Sequence, residues 1–386
     1  MPNSLICTNL RTSLEALRTL KQDFHSAYDF AVSSGTPEDV QKVQDLKHLL
    51  ETQTRELQKS VNKLEAEHLY DLKAQYKSQV TLLQRTGLIA TKINIDETGK
   101  VQEVFCMRDI HGNEYPVPSY ETLVEHLAEQ KELRRTKADQ GFTKFLLVPF
   151  GMSLDQMIHM FRAYLLNYKK VHPEFGRTDP SVPDESDQPN WDPLLVWGRY
   201  IGADVNGTLV YDPMSFEKEH HGGVTKTQIL ERQKTDQDTI IGWRILFLQG
   251  AKDGEGFRGI PRNGQGGIDG EQIPRADLEA GKSPRKYLAH QQTTSSDPTS
   301  PYYGESGMTP EEWIVMFMNH LAQTGKPIDD YQNKTDSVAL LTGAYFTVFN
   351  NISVSNWSRR GRGARFNGYG PVDVDKECGV RCAVRG

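Results

Sequence analysis

Apolar residues recur at three- and four-residue steps through residues 10–85, the period of an amphipathic helix. Leu14, Leu17, Leu20, Phe24, Ala27 and Ala31 mark the first stripe. Gly35 predicts its end. Thr36-Pro37-Glu38-Asp39 then starts a second helix, with Thr as N-cap, Pro at the first helical position and acids in the first turn. That helix is expected to run unbroken through Val43, Leu46, Leu50, Leu57, Val61, Leu64, Leu69, Leu72, Tyr76, Val80 and Leu83, without Gly or Pro. Val43, Leu50, Leu57 and Leu64 are seven apart, a coiled-coil period, although Gln53 interrupts the alternate seam. An antiparallel helical hairpin satisfies this pattern, and so does a stalk that self-associates into a homo-oligomer.

After Gly87 the period shortens. Residues 89–105 alternate around Asp96-Glu97-Thr98-Gly99-Lys100, predicting a β-hairpin, and His111-Gly112-Asn113 predicts a second turn. Ser119 caps a charged helix expected to reach residue 137. Residues 142–150 form a buried strand, and Gly151-Met152-Ser153 then opens a helix with Met157, Ile158, Phe161, Leu165 and Tyr168 on one face. A Pro/Asp/Ser loop covers 178–193. Residues 194–210 look like core around the turn Val205-Asn206-Gly207-Thr208, and 240–249 is the strongest interior strand. A glycine-rich excursion (250–281) and a Ser/Thr/Pro-rich one (291–301) have the length of functional or inserted loops. Thr309, Pro310 and Glu312 make a capping box for a helix that buries Trp313, Phe317 and Leu321 and stops at Gly325-Lys326-Pro327.

Toward the C-terminus Val380, Cys382 and Val384 alternate with Arg381, Ala383 and Arg385, which predicts the half-buried strand of a closing hairpin. Residues 356–370 upstream are Trp, Tyr, Arg, Asn, Ser and Gly with almost no aliphatic residue. Binding loops favour that mixture, because rigid aromatics and adaptable polar groups contact a partner at low entropic cost.

Composition narrows the classes. A net charge of −6 argues against a protein built around nucleic-acid phosphates, which makes Arg359, Arg360, Arg362 and Arg365 a local exception. The cysteines, Cys7, Cys106, Cys378 and Cys382, are too few and scattered for a disulfide scaffold. No apolar run has the ~18 residues of a membrane span. No secretory signal is visible at the start, so a cytoplasmic, reducing compartment is the default expectation.

The motifs Leu278-Glu279-Ala280-Gly281, Tyr303-Gly304-Glu305-Ser306-Gly307-Met308-Thr309-Pro310-Glu311-Glu312-Trp313, Ile328-Asp329-Asp330-Tyr331-Gln332, Gly343-Ala344-Tyr345-Phe346, Asn356-Trp357-Ser358-Arg359 and Gly379-Val380-Arg381-Cys382-Ala383-Val384-Arg385 follow one another in an order that carries a resemblance. The chain resembles the variable proteins of diversity-generating retroelements. Those end in a C-type-lectin-like domain of the formylglycine-generating-enzyme type. The resemblance covers roughly residues 192–386. It implies a C-type-lectin-like domain at 190–386, whose segment 345–386 carries the binding region; with the helical region at 1–86 and the small mixed module at 87–175 read from the hydrophobic pattern, the chain is expected to be α+β. It also implies a mechanism of change: a reverse transcriptase copies a template repeat with errors at adenines and rewrites the gene's 3′ end. Codons such as those for Asn then become Ser, Asp, Tyr, Gly, Arg, His or Cys.

On that logic Asn356, Trp357, Ser358, Arg359, Arg360, Arg362, Arg365, Asn367, Tyr369, Asp373, Glu377 and Cys378 are the ligand-binding positions, and all but Trp357 are expected to vary and to be exposed. Ala364, Phe366, Val372, Val374, Val380, Cys382 and Val384 are the expected scaffold. The expected partner is a protein or cell-surface molecule, with no catalytic residue, cofactor or metal. Two other classes compete. One is a copper-dependent oxidoreductase of the formylglycine-generating type, for which no matching two-cysteine motif is present. The other is a fixed structural or phage receptor-binding protein. Adjacent His220-His221 would point to opposite faces of a strand. Asp253-Gly254-Glu255 and Asp269-Gly270-Glu271 lack the spaced carboxylates of a calcium loop.

Overall fold

The computed structural model describes residues 3–95, 101–128, 130–176, 191–236, 239–251, 254–265, 276–330 and 336–386. The chain is α+β and divides into two compact units, residues 1–69 with 123–131 and residues 70–122 with 132–386. The first unit holds α1 (Asn3–Ser34) and α2 (Pro37–Tyr70), joined at Gly35, whose φ of 64° is the left-handed turn expected of a glycine there. The most covered described positions are Leu17, Leu20, Phe24, Ala27 and Ala31 on α1, and, beyond Asp39 in the first turn, Val43, Leu46, Leu50, Gln53, Leu57 and Val61 on α2. Both sets step by three and four, and Gln53 keeps the seam rather than breaking it.

The second helix does not continue to residue 83. Asp71 adopts φ 45°, and its carbonyl accepts from the Ala74 and Gln75 N–H groups, so the chain restarts as α3 (Leu72–Arg85). The boundary expected at residue 86 therefore falls near residue 70. There follow β1 (Ala90–Ile95), β2 (Val101–Arg108) and β3 (Glu114–Pro116), an antiparallel sheet. The predicted turn at 96–100 lies outside the described residues. Ser119 Oγ accepts the Thr122 N–H, but the charged stretch is two helices, α4 (Tyr120–Ala128) and α5 (Lys131–Asp139).

Then come β4 (Lys144–Val148), α6 (Leu154–Val171), β5 (Leu194–Val196), β6 (Leu209–Tyr211), α7 (Lys226–Thr235), β7 (Arg244–Leu248), α8 (Pro284–Thr294), β8 (Glu305–Gly307) and α9 (Pro310–Thr324). The last strands are β9 (Val338–Phe346), β10 (Asn351–Ser358), β11 (Gly363–Tyr369), β12 (Cys378–Val380) and β13 (Cys382–Arg385). β4 pairs with β7 in a four-stranded sheet ordered β4-β7-β13-β8, so residues 87–175 are not an independent module. The larger sheet runs β12-β9-β10-β11-β5, with β6 also on β9. The expected closing hairpin is absent: β12 lies parallel to β9, whereas β13 joins β7 and β8 in the other sheet. Arg381, between them, is where the chain changes sheets.

α9 is buried from Pro310 through Leu321, as a helix in the centre of a domain must be. Its sequence-predicted caps both form: Thr309 and Glu312 close a capping box, and Gly325 ends the helix at φ 70°. Two acids in its first turn are fully buried, and each is paired. Glu311 meets Lys226 Nζ at 2.9 Å and accepts from the Tyr211 hydroxyl at 2.6 Å, while Lys226 also reaches Asp204 at 2.8 Å. Glu312 meets Arg244 at 3.1 Å and Arg385 at 3.3 Å, and both arginines also hold Asp212. Removing one partner of such a group would leave an uncompensated buried charge. These pairs fix α9 against both sheets. No described helix is long and apolar enough to cross a membrane.

Candidate ligand-binding face

The two faces of β10 differ. Directly opposed residues on neighbouring strands project to the same side of a sheet. Trp357 stands opposite Ala364, and Ser355 opposite Phe366. That side is core: the Trp357 ring lies 4.8 Å from Phe175 and 5.9 Å from Phe317, and Phe366 packs edge-on to Trp313 at 5.1 Å. Trp357, expected among the ligand-binding positions, is fully buried and belongs to the core instead. Its Cζ2 would lie 2.8 Å from any Cβ at Gly176, so a glycine is required where the two approach.

The other side carries Ile352 opposite Tyr369, Val354 opposite Asn367, Asn356 opposite Arg365 and Ser358 opposite Gly363. Its apolar half, Ile352 and Val354, joins a cluster with Val210, Tyr287, Leu340 and Val380. Its polar half is a ledge. Arg365, Asn367 and Tyr369 are half-buried there, and Leu195 of β5, beside Arg365, is 58% exposed. Asn356 and Ser358 share the face but are buried at its inner edge, where Asn356 Nδ2 donates to the Trp357 carbonyl at 3.0 Å. Five of the predicted positions are thus brought together by strand register.

The four arginines of the basic cluster separate into two kinds. Arg359 Nε contacts Asp330 at 2.6 Å. Arg362, at φ 44° and almost fully buried, donates from Nε to the Phe175 carbonyl at 3.0 Å and from Nη2 to the Pro173 carbonyl at 2.9 Å. Arg362 is therefore an anchor for the turn between β10 and β11, contrary to its expected exposure. Arg360 is exposed at the tip of that turn, and neither it nor Arg365 is paired with any described acid.

Beyond Tyr369 the chain forms a rim. Asp373 and Asp375 are exposed, and Asp375 Oδ1 accepts the Glu377 N–H at 2.8 Å. Val372 and Val374, expected as scaffold, are each 61% exposed and hold nothing together. Cys378 is buried in β12, and its thiol is pushed up to about 12 by burial and by Asp375 and Glu377, with Tyr369 hydrogen-bonded to it. Burial raises the Tyr369 hydroxyl in turn, and Cys378, Asp375 and Asp373 add to the effect.

Two residues that sequence reasoning did not single out hold the floor of the site. Arg381, read as an outward strand position, is 5% exposed and forms a two-pronged ion pair with fully buried Asp329, one contact of which is 3.1 Å. Asp329 also accepts from Trp313 Nε1 at 2.7 Å, and its backbone carbonyl accepts the Trp357 N–H at 3.1 Å. Its carboxyl is raised by burial, against the opposing pull of Arg381. The only sequence signals were Arg381 between Val380 and Cys382 in the terminal run and Asp329 within the Ile328-Asp329-Asp330-Tyr331-Gln332 motif.

His221 Nδ1 accepts the Gly223 N–H at 3.0 Å in a turn, while His220 is exposed. No group of three metal-ligating side chains gathers among the described residues. Asp253 and residues 269–271 lie outside the described residues. No model of a protein family, no curated protein and no solved structure matches this chain.

Proposed function

We propose that this chain is a diversified ligand-binding protein, with a C-type-lectin-like fold over roughly residues 190–386, of the kind that diversity-generating retroelements rewrite. Its function is non-covalent recognition of a partner through the ledge on β10 and β11. One observation carries this reading: strand register gathers Asn356, Ser358, Arg365, Asn367 and Tyr369 on one face, while Trp357, Ala364 and Phe366 occupy the other. Substituting half-exposed Arg365 and Asn367 leaves the opposite core untouched, which is the property a rewritten surface needs, while Tyr369 also packs against the apolar cluster on its own face. The clamps from Arg362 and Arg381 keep the turn and the floor fixed while the surface changes.

Cys378 lies in β12 of the larger sheet and Cys382 in β13 of the other, an arrangement that does not favour the copper-dependent oxidoreductase alternative. A homo-oligomer built on the seams of α1 and α2 would raise the avidity of weak individual contacts. A strict monomer in sedimentation at micromolar concentration would remove that element.

Deep reads of the gene's 3′ end across a population test the main proposal. The expected result is a nearby second copy of that end, differing mainly at adenines, beside a reverse-transcriptase gene, with codons 365, 367 and 369 among the variable ones. An invariant 3′ end with no second copy would overturn it.

A further inference from the structure

Charges on the ledge specify what kind of partner it takes. We propose that the ligand is a polypeptide stretch held in extended form, carrying an acidic and a basic side chain four residues apart. The inference rests on the reading above that the ledge binds a partner.

Arg360 and Arg365 lie at the end of β11 nearest the turn, and neither is paired with a described acid. At the opposite end the chain turns just past Tyr369: the Asp373 N–H donates to the Gly370 carbonyl at 3.2 Å, so Asp373 sits at the end of β11, with Asp375 and Glu377 flanking a single Lys376 in the loop that follows. The surface is therefore bipolar, from the turn before β11 to the loop after it. Arg365 and Tyr369 are four residues apart, about 13 Å at the rise of a strand. An extended peptide presents residues i and i+4 on one side at the same separation. Its intervening i+2 residue would sit over Asn367, whose amide both donates and accepts.

Other partners fit less well. A phosphate-rich chain is attracted by Arg360 and Arg365 but repelled by the acidic rim. A uniformly basic surface meets the reverse. A neutral glycan leaves charges of both signs unused. Unpaired rim charges of this type set register and encounter rate.

The test is selection of a randomised peptide library on the full-length protein, followed by titration of one enriched synthetic peptide. Enriched sequences are expected to carry an acid and a base at a four-residue separation, in either chain direction. Arg365→Glu should weaken the enriched peptide at least tenfold and leave the melting temperature unchanged. Replacing the peptide's acid by Lys should restore binding to that variant. Enrichment without the spacing, no enrichment, binding of glycans or nucleic acid alone, or indifference to Arg365→Glu would each overturn the proposal. If the 3′ end proves diversified and the spacing is absent, this inference falls and the diversified face stands. If the 3′ end is invariant and the spacing is present, the reverse holds.

Discussion

The Gln79 carboxamide on α3 takes the place of a strand beside β4: its Oε1 accepts the Leu147 N–H at 2.7 Å, and its Nε2 donates to the Phe145 carbonyl. One helical turn earlier Gln75 repeats the arrangement, accepting from Phe145 N–H at 2.9 Å and donating to the Thr143 carbonyl at 3.0 Å. Two glutamines at i and i+4 thus close the edge of a buried sheet, whose backbone groups would otherwise lack partners. Gln79→Leu is expected to cost about 2–4 kcal/mol, because a buried N–H and a buried carbonyl each lose a partner. Urea unfolding measures it. A loss below about 0.5 kcal/mol, the range of ordinary surface changes, would mean the edge is satisfied another way.

Arg362 and Arg365 lie three residues apart and should behave oppositely. Arg362→Ala strips the buried Phe175 carbonyl and the Pro173 carbonyl of their donor and should lower stability by about 2–4 kcal/mol. Arg365→Ala should stay within about 0.5 kcal/mol, since its side chain is half-exposed and unpaired with any described acid. Trp357→Ala belongs with Arg362, at about 3–5 kcal/mol. Equal costs for Arg362→Ala and Arg365→Ala would dissolve the division between anchor and ledge.

Cys378 should resist alkylation while the protein is folded. Its thiol, at about 12, carries almost no thiolate at neutral pH, and the thiolate is the reactive form. Site-resolved mass spectrometry after iodoacetamide is expected to show Cys378 unmodified in buffer and modified in denaturant. Rapid native labelling would reopen a redox role.

Stability on the acid side should depend on Asp212. Burial alone would raise its carboxyl, but Arg244 and Arg385 outweigh that and hold it below its ordinary 3.8. A depressed carboxyl contributes stability that is present above the unfolded value and lost as pH falls through the folded one. Asp212→Asn should therefore flatten the fall in melting temperature below about pH 4. Asp329 has the opposite sign: its raised carboxyl favours the folded state while protonated, and that advantage disappears as pH rises past its folded value. Identical acid slopes for wild type and Asp212→Asn would assign the acid transition to other groups.

Local rules decided a good deal from the sequence alone. Thr309, Pro310, Glu312 and Gly325 delimit α9 because capping is a contact between near neighbours in the chain. Ser153 does the same for α6, and the apolar run at 142–150 gave β4. The ledge was legible as a composition, with Arg365, Asn367 and Tyr369 among the candidates. Tertiary structure decided the rest. Period-two alternation cannot say which sheet a strand joins, so β12 and β13 read as one hairpin although they part company at Arg381. Composition cannot say which arginine finds a carbonyl or a carboxylate far along the chain, and so Arg362 and Arg381 became anchors while Arg360 and Arg365 stayed exposed or half-exposed. Burial of Trp357 likewise depends on Phe175 and Phe317, which no local pattern brings to it. Sequence fixes what each residue can do with its neighbours in the chain; partners distant in sequence, chosen only on folding, decide whether that capacity serves the core or the surface.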